Sequence, residues 1–239
     1  MLYISQPTFF PWLGYFDLID QSETVVFLDD VSFAKQSWQQ RNYFKTVSGL
    51  KPFTIPVISK NIKSKLIKDI LIFDNNNLSK KFNHFLITNY GKSKYFENYI
   101  NELINIFTKK INNRNLLELN YNLIIWCLKV LKIKKKIIFS SSLNCNLKKT
   151  ERIIEICQKL NFNRYLTTLG SMEYLNKDKK LFKDNKIKVY THQYKHPVYQ
   201  QNYGNFIEFA CILDLIFNEG PNSYKVIISG RSKSKKKIY

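Results

Sequence analysis

Short apolar runs alternate with polar, proline-punctuated stretches at the start of the chain. Leu2–Ile4 reads as a strand, Ser5–Pro11 as a loop, Trp12–Asp20 as a helix and Thr24–Leu28 as a second strand. Strand, loop, helix, strand makes a βαβ unit, which predicts that the two strands are parallel neighbours. Asn42–Thr46 and Phe53–Ile58 flank Val47–Pro52, with Ser48-Gly49 as turn chemistry, and predict a β-hairpin near residues 42–58. Ile67–Phe73 reads as another short strand. The apolar spacing then turns helical over Leu78–Tyr90, Lys94–Lys110 and Leu116–Leu131. Strands at Lys136–Ser140, Arg164–Thr168 and Lys186–Thr191 alternate with helical patterns at Thr150–Leu160 and Leu175–Lys183. A last helix, Ile207–Asn218, is stopped by Gly220-Pro221. The alternation predicts an α/β fold, a mostly parallel sheet with flanking helices, and a helical insertion near residues 78–131. One domain is expected over residues 1–228, followed by a basic, disordered tail at 229–239.

Composition changes this picture little. A chain of 239 residues, 44% hydrophobic, can fill a core without disulfides or metals. The formal charge of +20 suggests a polyanionic partner, but 33 of the 38 basic residues are Lys, beside 25 Asn, 28 Ile and 2 Ala. That is the usage of an AT-rich genome. Residues 1–60 hold five basic and five acidic side chains, so the whole excess lies in residues 61–239. A nucleic-acid partner is therefore not expected, and contact of a Lys-rich face with an anionic membrane surface is the milder alternative. No run approaches the roughly 18 apolar residues of a membrane span. The start of the chain has no basic n-region or cleavage site, so no secretory signal is expected. Cys127, Cys145, Cys157 and Cys211 stand apart without a CxxC pair, which excludes a zinc ribbon and suits reduced thiols in a cytoplasm.

Candidate chemistry gathers in a few neutral or acidic blocks. In a parallel sheet, ligands collect at the carboxyl ends of strands, beside the next helix. The loop after the first strand offers Gln6 and Thr8 for hydrogen bonds and Trp12 and Tyr15 for contact with a ring, or it simply packs its aromatics into the core. Asp29 and Asp30 end the second strand, where one could act as a general base or serve only as a turn acid. The segment FAKQSWQQRN brings Lys35, Trp38 and Arg41 together. Arg is scarce here, with five in the chain, and its planar fork suits phosphate or carboxylate. A structural salt bridge to Asp29 or Asp30 is the plain alternative for Arg41. His192 and His196 fall in YTHQYKHPVYQQNY, where Pro197 argues against a helix and no further ligands complete a zinc site. His196 is a candidate base, with Tyr199 and Gln200 beside it. Asp214 lies in an apolar face and must find a partner or shift its pKa. No motif names a cofactor, and the oligomeric state is open.

The blocks ISQPTFFPWLGYFDLI, VVFLDDVSFAKQSWQQRN and PFTIPV, with a Ser-Ser loop at 140–142, KTERIIEICQKL, Tyr165 through Leu175 and HPVYQQNYGNFIEFACILDLIFNEGP, resemble the WbqC-like family. The likeness runs from residue 2 to about residue 221 and is weakest over residues 60–135. It implies a role in bacterial surface-polysaccharide (O-antigen or capsule) biosynthesis. It also implies transfer of glycine or another acyl group to an amino sugar or sugar nucleotide. In that reading Asp30 or His196 is the base with Asp29 nearby, Arg41 and Lys35 clamp an anion, and Trp12 or Trp38 stacks on a ring. A non-catalytic accessory role in a polysaccharide assembly complex and, against the charge argument above, a basic nucleic-acid-binding protein are the alternative readings. Family members often carry Ser where this chain has Ala210-Cys211, so no catalytic hydroxyl is expected there. Pro11–Tyr15 is also similar to the nucleotide-binding turn of nucleotidylyltransferase-like folds, whose histidine pair is absent.

Overall fold

The computed structural model describes every residue except 59, 61, 75–76, 172–174, 176, 233–235 and 238–239. Five parallel strands form the sheet: β1 (Leu2–Ser5), β2 (Thr24–Phe27), β5 (Lys136–Phe139), β6 (Arg164–Thr167) and β7 (Lys188–Thr191). A two-residue strand, β8 (Lys236–Lys237), closes the β7 edge antiparallel, giving the order β5-β2-β1-β6-β7-β8. The predicted parallel pairing of the first two strands holds, with Leu2 opposite Thr24 and Ser5 opposite Phe27.

Strand residues alternate between two cores, as the pleat requires. Tyr3, Val25 and Phe27 face the larger core, and Leu2, Ile4 and Val26 face the smaller one. The larger core lies under α1 (Leu13–Gln21) and the helical layer α2 (Leu78–Tyr90), α3 (Phe96–Asn112) and α4 (Leu116–Val130). The smaller core lies under α5 (Lys149–Lys159) and α6 (Lys179–Asp184). All three central helices form where the apolar spacing places them, and Asn115 caps α4 by accepting the Glu118 N–H at 2.9 Å.

Three expectations are corrected. The hairpin pairs β3 (Arg41–Thr46) with β4 (Gly49–Thr54), so its second strand starts four residues before Phe53. Gly49, at φ +90°, closes a tight turn directly after Thr46, and Pro52 is tolerated at this two-stranded edge. Ile67–Phe73 is a single 3-10 turn, Ile67–Asp69, threaded by isolated bridges rather than a strand. The helix expected from Ile207 begins at Ile212: α7 (Ile212–Glu219) is preceded by a loop in which Phe209 adopts φ +64°.

The chain continues through α8 (Ser223–Ser229) into the segment expected to be a disordered tail. Its first part is attached: Arg231 binds Asp17 through Nε at 2.7 Å and Asp20 through Nη2. Asp17, fully buried, also pairs with His192 Nε2 at 2.6 Å. Residues 233–235 and 238–239 of that segment lie outside the described residues, as do 172–174 and 176 of the helix expected at Leu175–Lys183 and its approach.

Candidate functional site

The order of the parallel strands fixes where a ligand can sit. The chain builds outward from β1 through β2 to β5, then returns to β6 on the other side of β1. Crevices form at the carboxyl ends of strands where the order reverses, because the helices after those strands diverge to opposite faces. Here that place lies between β1 and β6, and a cavity of about 630 Å³ occupies it.

One wall comes from β1 and its loop: Tyr3, Ser5, Gln6, Thr8, Trp12 and Tyr15. The other comes from β6 and the turn beyond it: Tyr165, Thr167, Thr168 and Ser171. Trp38 and Phe209 stand at the mouth, 55% and 54% exposed. Among the described residues, none that lines the cavity is an acid, a lysine, an arginine or a histidine. Burial pushes the phenols of Tyr3 and Tyr15 up, so both stay protonated. The cavity is neutral and aromatic, a setting for an uncharged ring rather than for a phosphate.

The loop after β1 keeps its shape because its buried carbonyls are met by side chains. Asn42 Nδ2 donates to the carbonyls of Phe9 at 2.9 Å and Phe10 at 2.6 Å, and Asn120 Nδ2 to that of Pro7 at 3.3 Å. This holds Phe10 at φ +41°. The rings of Phe9 and Phe10 turn away from the cavity into a cluster with Phe44 and Phe82. Trp12 turns the other way, and its ring packs on Tyr194, His196 and Phe209 with centroids 5.6, 6.1 and 5.3 Å apart.

The sequence candidates therefore divide. Gln6, Thr8, Trp12, Tyr15 and Trp38 come together in the cavity wall. Asp29 and Asp30 lie at the neighbouring strand ends, outside the lining. Asp29 accepts from the Ser141 N–H at 2.9 Å, the Ser141 hydroxyl at 2.6 Å and the Ser140 hydroxyl at 3.2 Å. Asp30 pairs with Arg152 and with the Ser140 hydroxyl. Burial pushes the Asp30 carboxyl up, but the bonds and charge of Arg152 and the Ser140 bond outweigh it and hold it below the usual range. Arg41, on β3, makes no ion pair among the described residues, and Lys35 is exposed.

His196 sits behind Trp12 and Phe209 rather than in the wall. Its Nδ1 faces the Pro197 carbonyl at 3.0 Å, and its buried Nε2 has no hydrogen-bond partner among the described residues. Burial pushes its pKa down, against the Pro197 carbonyl, and leaves a neutral imidazole. Tyr199 and Asp214 belong to a separate buried network, with the Tyr199 hydroxyl 2.7 Å from Asp214 Oδ2. Burial pushes Asp214 to about 6, against the Tyr199 hydrogen bond and the nearby charge of Lys45. Gln200 lines a second, smaller cavity of about 270 Å³ with Lys92, Lys94 and Glu219.

The β6 wall and Arg152 were missed. Thr167-Thr168 closes a strand that the apolar pattern finds, but only the strand order makes that strand a neighbour of β1. Arg152 was legible by the scarcity argument applied to Arg41, since it is one of five Arg. Among the described residues, no group of three or more His, Cys, Asp and Glu could hold a metal ion, and no helix is long and apolar enough to cross a membrane.

The profile of a family described as "WbqC-like protein family" matches residues 6–226. A protein of Mycobacterium tuberculosis named "Uncharacterized protein Rv1507c" is 31% identical over 218 residues, which cover 91% of this chain and 93% of that one. No solved structure matches.

Proposed function

The chain belongs to the WbqC-like protein family, and we propose that it acts in bacterial surface-polysaccharide biosynthesis, binding a sugar nucleotide in the cavity between β1 and β6. The cavity carries this reading. It lies at the reversal point of a parallel sheet, it is walled by Tyr3, Trp12, Tyr15 and Tyr165, and its described lining carries no charged side chain. An aromatic-walled neutral cavity suits a base or a sugar ring, with the diphosphate left towards the open mouth. The pathway rests on the family resemblance.

The reaction we propose is transfer of glycine or another acyl group to an amino sugar or to the sugar of a sugar nucleotide. Attack by an amine needs a group to take its proton, and His196 is the better base of the two foreseen. Its imidazole is neutral with an unpartnered Nε2, whereas Asp30 is held in an ion pair. His196 lies outside the described lining, with its ring against those of Trp12 and Phe209, which do line the cavity. Native mass spectrometry against a panel of sugar nucleotides tests the binding, and analysis of the surface polysaccharide of a deletion strain tests the pathway. Retention of every normal substituent in that strain contradicts the reaction. The uncharged wall also favours a second reading, an accessory protein that binds the sugar nucleotide and hands it on. Binding without product formation when an acyl donor is added supports that one.

A further inference from the structure

Gln6 lines the cavity and is held from behind. Its backbone carbonyl accepts from the hydroxyls of Ser5 at 3.1 Å and Tyr15 at 3.2 Å. Its side-chain Oε1 accepts from Nε2 of Gln39, a residue 2% exposed and outside the cavity wall. The direction of that last bond is decided one step further back. Gln39 Oε1 meets the backbone N–H of Ala34 at 3.4 Å and the Ser37 hydroxyl at 2.7 Å. A backbone N–H can only donate. Ser37 Oγ accepts the Gln39 N–H at 3.4 Å and can give its own proton to the same Oε1 that the Ala34 N–H already fixes as an acceptor. An amide with its oxygen engaged on one side offers its NH2 group on the other. Gln6 therefore receives through Oε1, and its Nε2 keeps both protons with no partner among the described residues. Asn42, the other amide of the wall, offers no further donor: Nδ2 gives both its protons to the Phe9 and Phe10 carbonyls, and Oδ1 accepts from the Tyr43 N–H at 2.8 Å.

We propose that Gln39 is a positioning residue that fixes Gln6 as a hydrogen-bond donor, so that the cavity selects an uncharged ring bearing a carbonyl oxygen. The inference rests on the sugar-nucleotide reading and sharpens it. Two parts of such a ligand carry that chemistry, the pyrimidine base and an acylamido group on the sugar. A reversed Gln6 would present an acceptor and select amino groups instead. A site built to donate rejects an analogue that cannot accept, because its own donor is left unpaired.

The test is calorimetric titration of wild type, Gln6→Glu, Gln39→Glu and Gln39→Met with UDP-N-acetylglucosamine, uridine monophosphate and N-acetylglucosamine. Gln6→Glu replaces the donor with an acceptor and weakens UDP-N-acetylglucosamine by about tenfold or more. Gln39→Glu turns the Gln6 amide round and weakens the same probe by a similar factor, although residue 39 touches no ligand. Gln39→Met frees the amide to rotate and gives a smaller loss, which keeps the test standing if the buried carboxylate unfolds the protein. The two smaller probes show which carbonyl is read. Side-chain amide NMR supplies a readout that a merely structural role does not move: the Gln39 amide protons exchange slowly, and those of Gln6 exchange fast until ligand is added. Equal affinities in wild type and both Gln39 variants, or fast exchange at Gln39, overturn the proposal. If wild type binds none of the probes, the sugar-nucleotide reading fails, and exchange alone decides the amide polarity.

Discussion

The carboxyl edge of the sheet has two halves with opposite fates. At the ends of β2 and β5, Asp29 and Asp30 are surrounded by Ser140, Ser141 and Arg152, and the space is closed by the protein's own partners. At the ends of β1 and β6, the polar groups are hydroxyls and amides, and the space is left open. The half with the conspicuous acids is the satisfied one, and the half without charge has room for a ligand. A carboxylate pair at a strand end thus marks a site only if its lone pairs are free, and whether they are free depends on neighbours far away in sequence. The strand order makes the difference: β5 and β2 are successive neighbours on one side of the sheet, whereas the reversal parts β1 from β6.

Substitutions in the two halves should separate stability from binding. The largest effect is expected at the closed half. Asp29→Ala removes a buried acceptor of three hydrogen bonds and leaves the Ser141 N–H and hydroxyl unmet, while the Ser140 hydroxyl keeps Asp30, at a cost of about 3 kcal/mol in chemical denaturation. Ligand affinity, measured at a temperature where the variant is folded, should stay near that of wild type. A variant that keeps its stability and loses binding would make Asp29 part of the site.

Gly14→Ala acts on the open half. A Cβ there would stand 2.1 Å from the Trp12 ring, so the indole must leave its place in the wall. We expect about 1–3 kcal/mol of destabilisation together with a red-shifted, less structured Trp emission. An unchanged spectrum would mean that Trp12 does not hold the position described.

The smallest effect is the pH response of the closed half. Asp30 has its folded pKa held below 3.8, so the stability it contributes is present above 3.8 and lost as pH falls through the folded value. Arg152→Met removes that contribution. The variant should be less stable than wild type near pH 6, by about 1 kcal/mol for a partly exposed pair, and the gap should narrow as the pH is lowered past 3.8. A constant gap across that range would mean that Arg152 acts through packing alone.

Much of the fold could be read from the chain. The βαβ opening and the helices around Phe82, Phe107 and Leu123 follow from local periodicity, which needs no knowledge of distant partners. The second hairpin strand was misplaced because Gly49 lets the turn close earlier than the Ser48–Pro52 composition suggested. Gln6, Thr8, Trp12, Tyr15 and Trp38 were legible as the strand-end loop and its neighbour, and the structure gathers them in one wall. Tyr165, Thr167 and Ser171 were not legible, because nothing near them in sequence says that β6 returns beside β1. The polarity of Gln6 was hidden for the same reason, being set by Gln39 and Ser37 across a gap of about thirty residues.

The central claim is that the neutral cavity between β1 and β6 binds a sugar nucleotide. Its most direct test is a titration of intrinsic Trp emission with UDP-N-acetylglucosamine, since Trp12 and Trp38 stand in the wall and Trp126 is buried in the helical layer. Saturable quenching is expected, surviving Trp126→Phe and lost when Trp12 and Trp38 are both changed to Phe. Saturable quenching that persists in that double variant, or no change in emission as the titrant is raised, would contradict it.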